Sequence, residues 1–148
     1  MGNLSPRLSR YEFECPCANK HDCNRTPVDI KLIEMLETCA NHFQYFTRTS
    51  VARVIIHVNS GYRCKQHDAD IKKGKKPNPK LSEHLFGIAA DFWLEYVYQD
   101  GSRDKISDDE VADFLELEYP GVYGIGRYDT RTHADARPDG PARWDNRS

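Results

Sequence analysis

At 148 residues the chain accommodates one domain around a single hydrophobic core and has too little length for two of ordinary size. Hydrophobic residues make up 39% and charged residues 30%, and a formal net charge of -2 excludes bulk electrostatic attraction to nucleic acid or to an anionic membrane. No stretch approaches the roughly eighteen consecutive apolar residues of a membrane-inserted helix.

The opening, Leu4 to Asn24, mixes prolines, cysteines and charges and has no helical or strand period. Residues 1–26 are therefore expected as an irregular arm packed on one domain that spans 1–148, with Tyr11 and Phe13 as its pins. Met1 to Arg7 lacks the apolar run of a signal peptide, so synthesis in the cytoplasm without an export signal is expected. The cysteine count is odd, at 5, and Cys15, Cys17 and Cys23 crowd together while Cys39 and Cys64 lie apart. That is not a secreted disulfide framework, and mostly reduced thiols are expected. A structural zinc on Cys15, Cys17, Cys23 and Cys64, or one disulfide among them, is the weaker option, because CxC lacks the paired CxxC spacing of common zinc modules.

Thr26-Pro27 reads as an N-cap with proline at the first helical position, and Ile30, Ile33, Leu36, Ala40 and Phe43 recur at helical spacing, so an amphipathic helix is predicted over 27–46. The β-branched run 51–59 predicts a largely buried strand ending at Ser60-Gly61. A short helix over 64–71 gives way to the lysine-rich segment 72–80, whose prolines and like charges read as a solvated loop. From 87 to 98 a second strand sets Ile88, Ala90, Phe92 and Leu94 on one face and Asp91, Trp93 and Glu95 on the other. Ser107 with Glu110 forms a capping-box pattern ahead of a helix running to about Tyr119. The glycine-rich tail predicts short strands joined by tight turns. These elements give an α+β fold class, with a small antiparallel sheet and helices packed on one of its faces.

Chemistry concentrates in Ser82 to Asp91, preceded by Ser60-Gly61-Tyr62-Arg63 and followed by His133-Ala134-Asp135. A catalytic zinc takes three protein ligands from imidazole and carboxylate and keeps a fourth position for water. His84 ahead of the strand, Asp91 on it and His133 on a distant strand would supply such a set. HxxxxxxD is a weak pattern by itself, and a loop histidine, a hydrogen-bonded carboxylate and a surface imidazole fit the same spacing.

The runs SGYR, SEHLFGIAADF and THADARPDGPARW resemble the zinc D-Ala-D-Ala carboxypeptidase family, the LAS-type murein peptidases that include many phage endolysins. That family's signature, SxHxxGxAxD with a late HxH or HxD, is matched by Ser82, His84, Gly87, Ala89 and Asp91. The likeness extends over residues 11 to 144 and includes Phe13-Glu14-Cys15-Pro16-Cys17. It implies a hedgehog- and D-Ala-D-Ala-peptidase-like fold with one Zn2+ per chain on His84, Asp91 and His133. It also implies Arg63 as the cation for a substrate carboxylate or oxyanion, with Ser82 and Tyr62 beside it. The implied substrates are stem peptides of peptidoglycan. A monomer is expected, and the missing export signal leads to the expectation that it reaches the wall by phage release or in the virion.

The sequence departs from one branch of that family where Thr130 replaces a glutamate three residues before His133. Asp135 is then the nearest carboxylate, with two jobs open to it: taking the water proton, or bonding a ligand imidazole. Glu83 and Asp129 come next as bases. Tyr62, Trp93, Tyr128 and Trp144 are candidates for a groove or for the core. The rival function is a zinc-containing binding module without turnover, as in the hedgehog signalling domain.

Overall fold

A computed structural model describes residues 2–17, 25–73 and 82–148; Cys23 and most of the lysine-rich segment lie outside the described residues. Helix α1 spans Ile30–Phe46 and buries Leu32, Ile33, Leu36, Cys39, Ala40 and Phe43 along one stripe. It starts later than the predicted 27, and Ile30 is 72% exposed. The cap is Asp29, not Thr26: its carboxylate accepts the Lys31 N–H at 2.7 Å. The backbone just before it is committed elsewhere, since the Asp29 N–H donates to the Gly87 carbonyl at 2.9 Å. Gly87 is left-handed at φ 70°, and a Cβ there would collide with the Pro27 carbonyl.

Strand β1, Val51–Ser60, turns Val54 and Ile56 into the core and leaves the rest half-buried or exposed. It is one-sided rather than largely buried because it ends the strand order, and only one of its faces meets α1. Helix α2, Lys65–Ile71, follows as predicted. A 3-10 turn at Glu83–Phe86 leads into β2, Ala89–Tyr98, whose Phe92, Leu94 and Tyr96 are buried while Asp91, Trp93 and Glu95 point the other way. The predicted alternation holds. The three-residue β3, Arg103–Lys105, has no sequence signal, being wholly charged and exposed. Helix α3, Asp108–Glu118, is capped by Ser107, whose hydroxyl accepts the Glu110 N–H at 3.4 Å.

Strands β4 (Gly124–Arg127), β5 (Thr132–Asp135) and β6 (Ala142–Asp145) complete a sheet of order β1-β2-β5-β4-β6, with β3 also on β2. The sheet is mixed, which corrects the expected antiparallel one: β4 and β6 run parallel. Both edges of β5 are taken, by β2 and β4, so the chain reversing after β5 must use the outer edge of β4 and run along it in the same direction. Helices α1 and α3 cover one face, α1 against β1 and β2 and α3 against β4. The arm reaches the same core through Leu8 and Phe13, 0% and 1% exposed, whereas Tyr11 is 70% exposed and does not pin it. Arg7 holds the arm from outside, bonding Glu37, Asn41 and Gln44 on α1 and the Val54 carbonyl on β1. Among the described residues no helix is long and apolar enough to cross a membrane.

Candidate metal centre

The uncovered face of the sheet brings together side chains far apart in sequence. Asp91 on β2 stands opposite His133 on β5, and His133 stands opposite Gly126 on β4. Thr132 and Ala134 turn into the core, so His133 and Asp135 share the open face side by side. His84 arrives from the 3-10 turn, which is capped by the Ser82 hydroxyl at 3.3 Å from the His84 N–H. Its Nδ1 lies 2.6 Å from the Gly61 carbonyl, which can only accept, so Nδ1 is the donor and Nε2 is the nitrogen turned toward Asp91.

That Nε2 lies 3.5 Å from Asp91 Oδ2, and Asp91 Oδ1 lies 2.9 Å from His133 Nδ1. The three donor atoms sit within 4.8 Å of one another, and both imidazoles are buried. His133 Nε2 donates to Asp135 Oδ2 at 2.7 Å, which leaves Nδ1 as the nitrogen able to face a metal. Two imidazoles and one carboxylate, each ring fixed from behind by an acceptor, suit zinc with a fourth position for water. The residues present fit the ion.

Electrostatics agree with that donor set. Burial alone would raise the Asp91 carboxyl, but the hydrogen bonds from His133 and His84 outweigh it and hold the group well below the usual carboxylate range. Burial would lower His133, yet Asp135 and Asp91 on either side raise it above an ordinary imidazole.

Asp135 is 0% exposed and its carboxylate is saturated. Oδ2 accepts from His133 and from Arg137 Nη2 at 2.6 Å, and Oδ1 accepts from Arg137 Nε at 2.7 Å and from the Arg137 N–H at 3.2 Å. The bonds from Arg137 and His133 override burial and hold this carboxyl, too, well below the usual range. Gly124 makes room for it, because a Cβ there would overlap both carboxylate oxygens. Of the two jobs open to Asp135, this placement suits bonding the imidazole and not taking a water proton, since the carboxylate does not line the cavity in front of the ligands.

That cavity, about 390 Å³, is lined by His84, Asp91 and His133 and by the cations Arg63, Lys72, Arg131 and Arg137. Glu83 lines the same cavity. Arg63 Nη2 donates to Ser82 Oγ at 3.1 Å, and its Nε faces Asp68 Oδ1 at 3.4 Å, too poorly aligned for a hydrogen bond. Asp68, 6% exposed, also pairs with Lys72 at 2.8 Å and so anchors two of the cations. Sequence reading missed Asp68; its only signal was a charge on the inner side of a short helix.

Tyr128 and Trp144 line the cavity, and the Trp144 ring lies 4.9 Å from that of His133. Trp93 stacks on His57 at 3.9 Å, further along the sheet. Tyr62 is not brought to His84, Asp91 and His133: it lines a neighbouring cavity with Arg10, Arg25 and Leu85. Asp129 is engaged at the surface by the Ser148 N–H at 3.1 Å.

Comparison with known proteins gives one family model, peptidase M15, matching residues 6–135, a span that contains every residue of this donor set. No curated protein and no solved structure matches the chain.

Proposed function

The chain belongs to the peptidase M15 family, and from that membership we propose that it is a zinc-dependent peptidase hydrolysing peptide bonds in bacterial peptidoglycan. One observation carries the reading: Nε2 of His84, the Asp91 carboxylate and Nδ1 of His133 converge within 4.8 Å on the floor of a cavity ringed by cations. Stem peptides of the wall carry free carboxylates beside their scissile bonds, which is the charge such a ring attracts.

His84, Asp91 and His133 would hold the zinc, which when bound would supply a Lewis acid and bring the pKa of a water towards ~7. The chain's own residues do the rest. Arg63, held by Ser82 and Asp68, presents a planar fork to a terminal carboxylate or to the developing oxyanion. We assign to Glu83, which lines the cavity, the role of accepting the water proton and returning it to the leaving amine. Asp135 keeps the His133 ring turned so that Nδ1 faces its partners.

Arg63→Lys is expected to keep its zinc and lose about 10²-fold or more in turnover, the usual cost of removing one oxyanion donor. Metal analysis beside hydrolysis of a muropeptide reads both, and wild-type turnover in the lysine variant would remove Arg63 from this role.

The rival, a zinc-containing module that binds peptides without cutting them, draws on Thr130, which cannot ionise where part of the family has glutamate. Zymography on purified peptidoglycan separates the two. Clearing that a chelator abolishes and zinc restores is the expected result; binding without any clearing selects the rival.

A further inference from the structure

The arm and the segment that carries Arg63 meet over three sulfurs. Cys15 and Cys17 come from the arm and Cys64 follows Arg63; they are 8%, 5% and 6% exposed and form a cluster apart from the main core. Cys64 Sγ lies 3.7 Å from Cys15 Sγ and 3.8 Å from Cys17 Sγ, and all three sulfurs fall within 4.8 Å of one another. Thiolates at the corners of a tetrahedron around zinc, with Zn–S of about 2.3 Å, stand about 3.8 Å apart.

Two backbone donors also point at the cluster. The Cys64 N–H lies 3.3 Å from Cys15 Sγ, and the His67 N–H lies 3.4 Å from Cys64 Sγ. Both N–H groups give the sulfur cluster polar partners. Cys39 is the contrast within the same chain: it packs in the main core as an apolar residue, and burial pushes its thiol far up.

Cys17 is disulfide-bonded, so its sulfur becomes a thiolate donor only after reduction. We propose that, once a dithiol has reduced that disulfide, the thiolates of Cys15, Cys17 and Cys64 hold a second zinc ion that clamps the arm to the segment presenting Arg63. The dithiol gives two electrons and two protons to the disulfide and itself closes into a disulfide. On metal binding the three thiols each release one proton, and a water or other fourth donor takes the remaining position. Soft sulfur donors select zinc over calcium or magnesium. The clamp acts at the arm already joined to this segment by the Tyr62 N–H bond to the Phe13 carbonyl at 2.8 Å.

Cobalt(II) tests the site on the full chain, because only sulfur ligands give the near-ultraviolet thiolate-to-cobalt absorption and the His84, Asp91 and His133 set gives none. With a phosphine as reductant, the wild-type chain is expected to show that absorption and to bind one metal equivalent more than the oxidised chain. Cys15→Ser and Cys64→Ser are each expected to lose the absorption and that equivalent, while Asp91→Ala keeps both. Absence of the absorption from the reduced wild-type chain would overturn the proposal whether or not the serine variants fold. Full retention of it in the serine variants would do the same.

Discussion

Asp91→Ala is expected to lose one equivalent of zinc and all measurable turnover while keeping the fold. Asp91 is the anionic member of the donor set and stands between the other two, 3.5 Å from His84 Nε2 and 2.9 Å from His133 Nδ1. Losing a residue that merely supports a ligand costs up to ~100-fold in metal affinity, so losing the ligand itself costs more than ~100-fold. The fold survives because the buried side chains of β2, Phe92, Leu94 and Tyr96, point to the opposite face and are untouched. His84→Ala is expected to behave likewise. Metal analysis after dialysis, thermal melts and muropeptide turnover read the three consequences, and wild-type zinc content in both variants would discard the ligand assignment.

The same site sets a pH dependence. His133 is raised above an ordinary imidazole and Asp91 is held low, so on acidification the proton competes with zinc at His133 first, while Asp91 stays ionised. Zinc affinity should therefore fall as pH drops through the raised His133 value, above the ordinary ~6.5, and recover when pH is restored.

The second large effect divides the two carboxylates near the ligands. Glu83→Gln is expected to cut turnover by at least ~100-fold, in the range of general-base removal, with zinc unchanged. Asp135→Asn is expected to do the reverse, weakening zinc by ~10–100-fold and leaving most of the turnover once zinc is saturating. The asymmetry comes from access: Glu83 lines the cavity, whereas Asp135 does not and is fully buried beside His133 and Arg137. Asparagine keeps an acceptor for one of these donors but turns an N–H2 group toward the other. Zinc titrations and saturating-zinc kinetics on the two variants decide it; turnover lost in Asp135→Asn at full zinc occupancy would return the base to Asp135.

What was readable in the sequence was what depends on near neighbours. Alternation along β2 put Asp91 opposite the Phe92 side, and the i, i+2 spacing put Asp135 beside His133, because side-chain direction in a strand has a period of two whatever the strand pairs with. Ser107 capped its helix as its spacing with Glu110 indicated. His84, Asp91 and His133 were singled out as a donor set only through a family resemblance, since spacing alone left a bland reading open.

Tertiary structure decided the rest. Asp29 displaced Thr26 as the helix cap because its backbone is bonded to Gly87, a contact across 58 positions that no local preference encodes. The parallel β4–β6 pair resulted from which strand edges were already taken. Asp135 and Glu83 are alike as carboxylates near a histidine in sequence. Burial beneath Arg137, in the room left by Gly124, is what assigns one to the imidazole and leaves the other to the cavity, because a carboxylate's role is set by the donors that surround it and by its access to solvent.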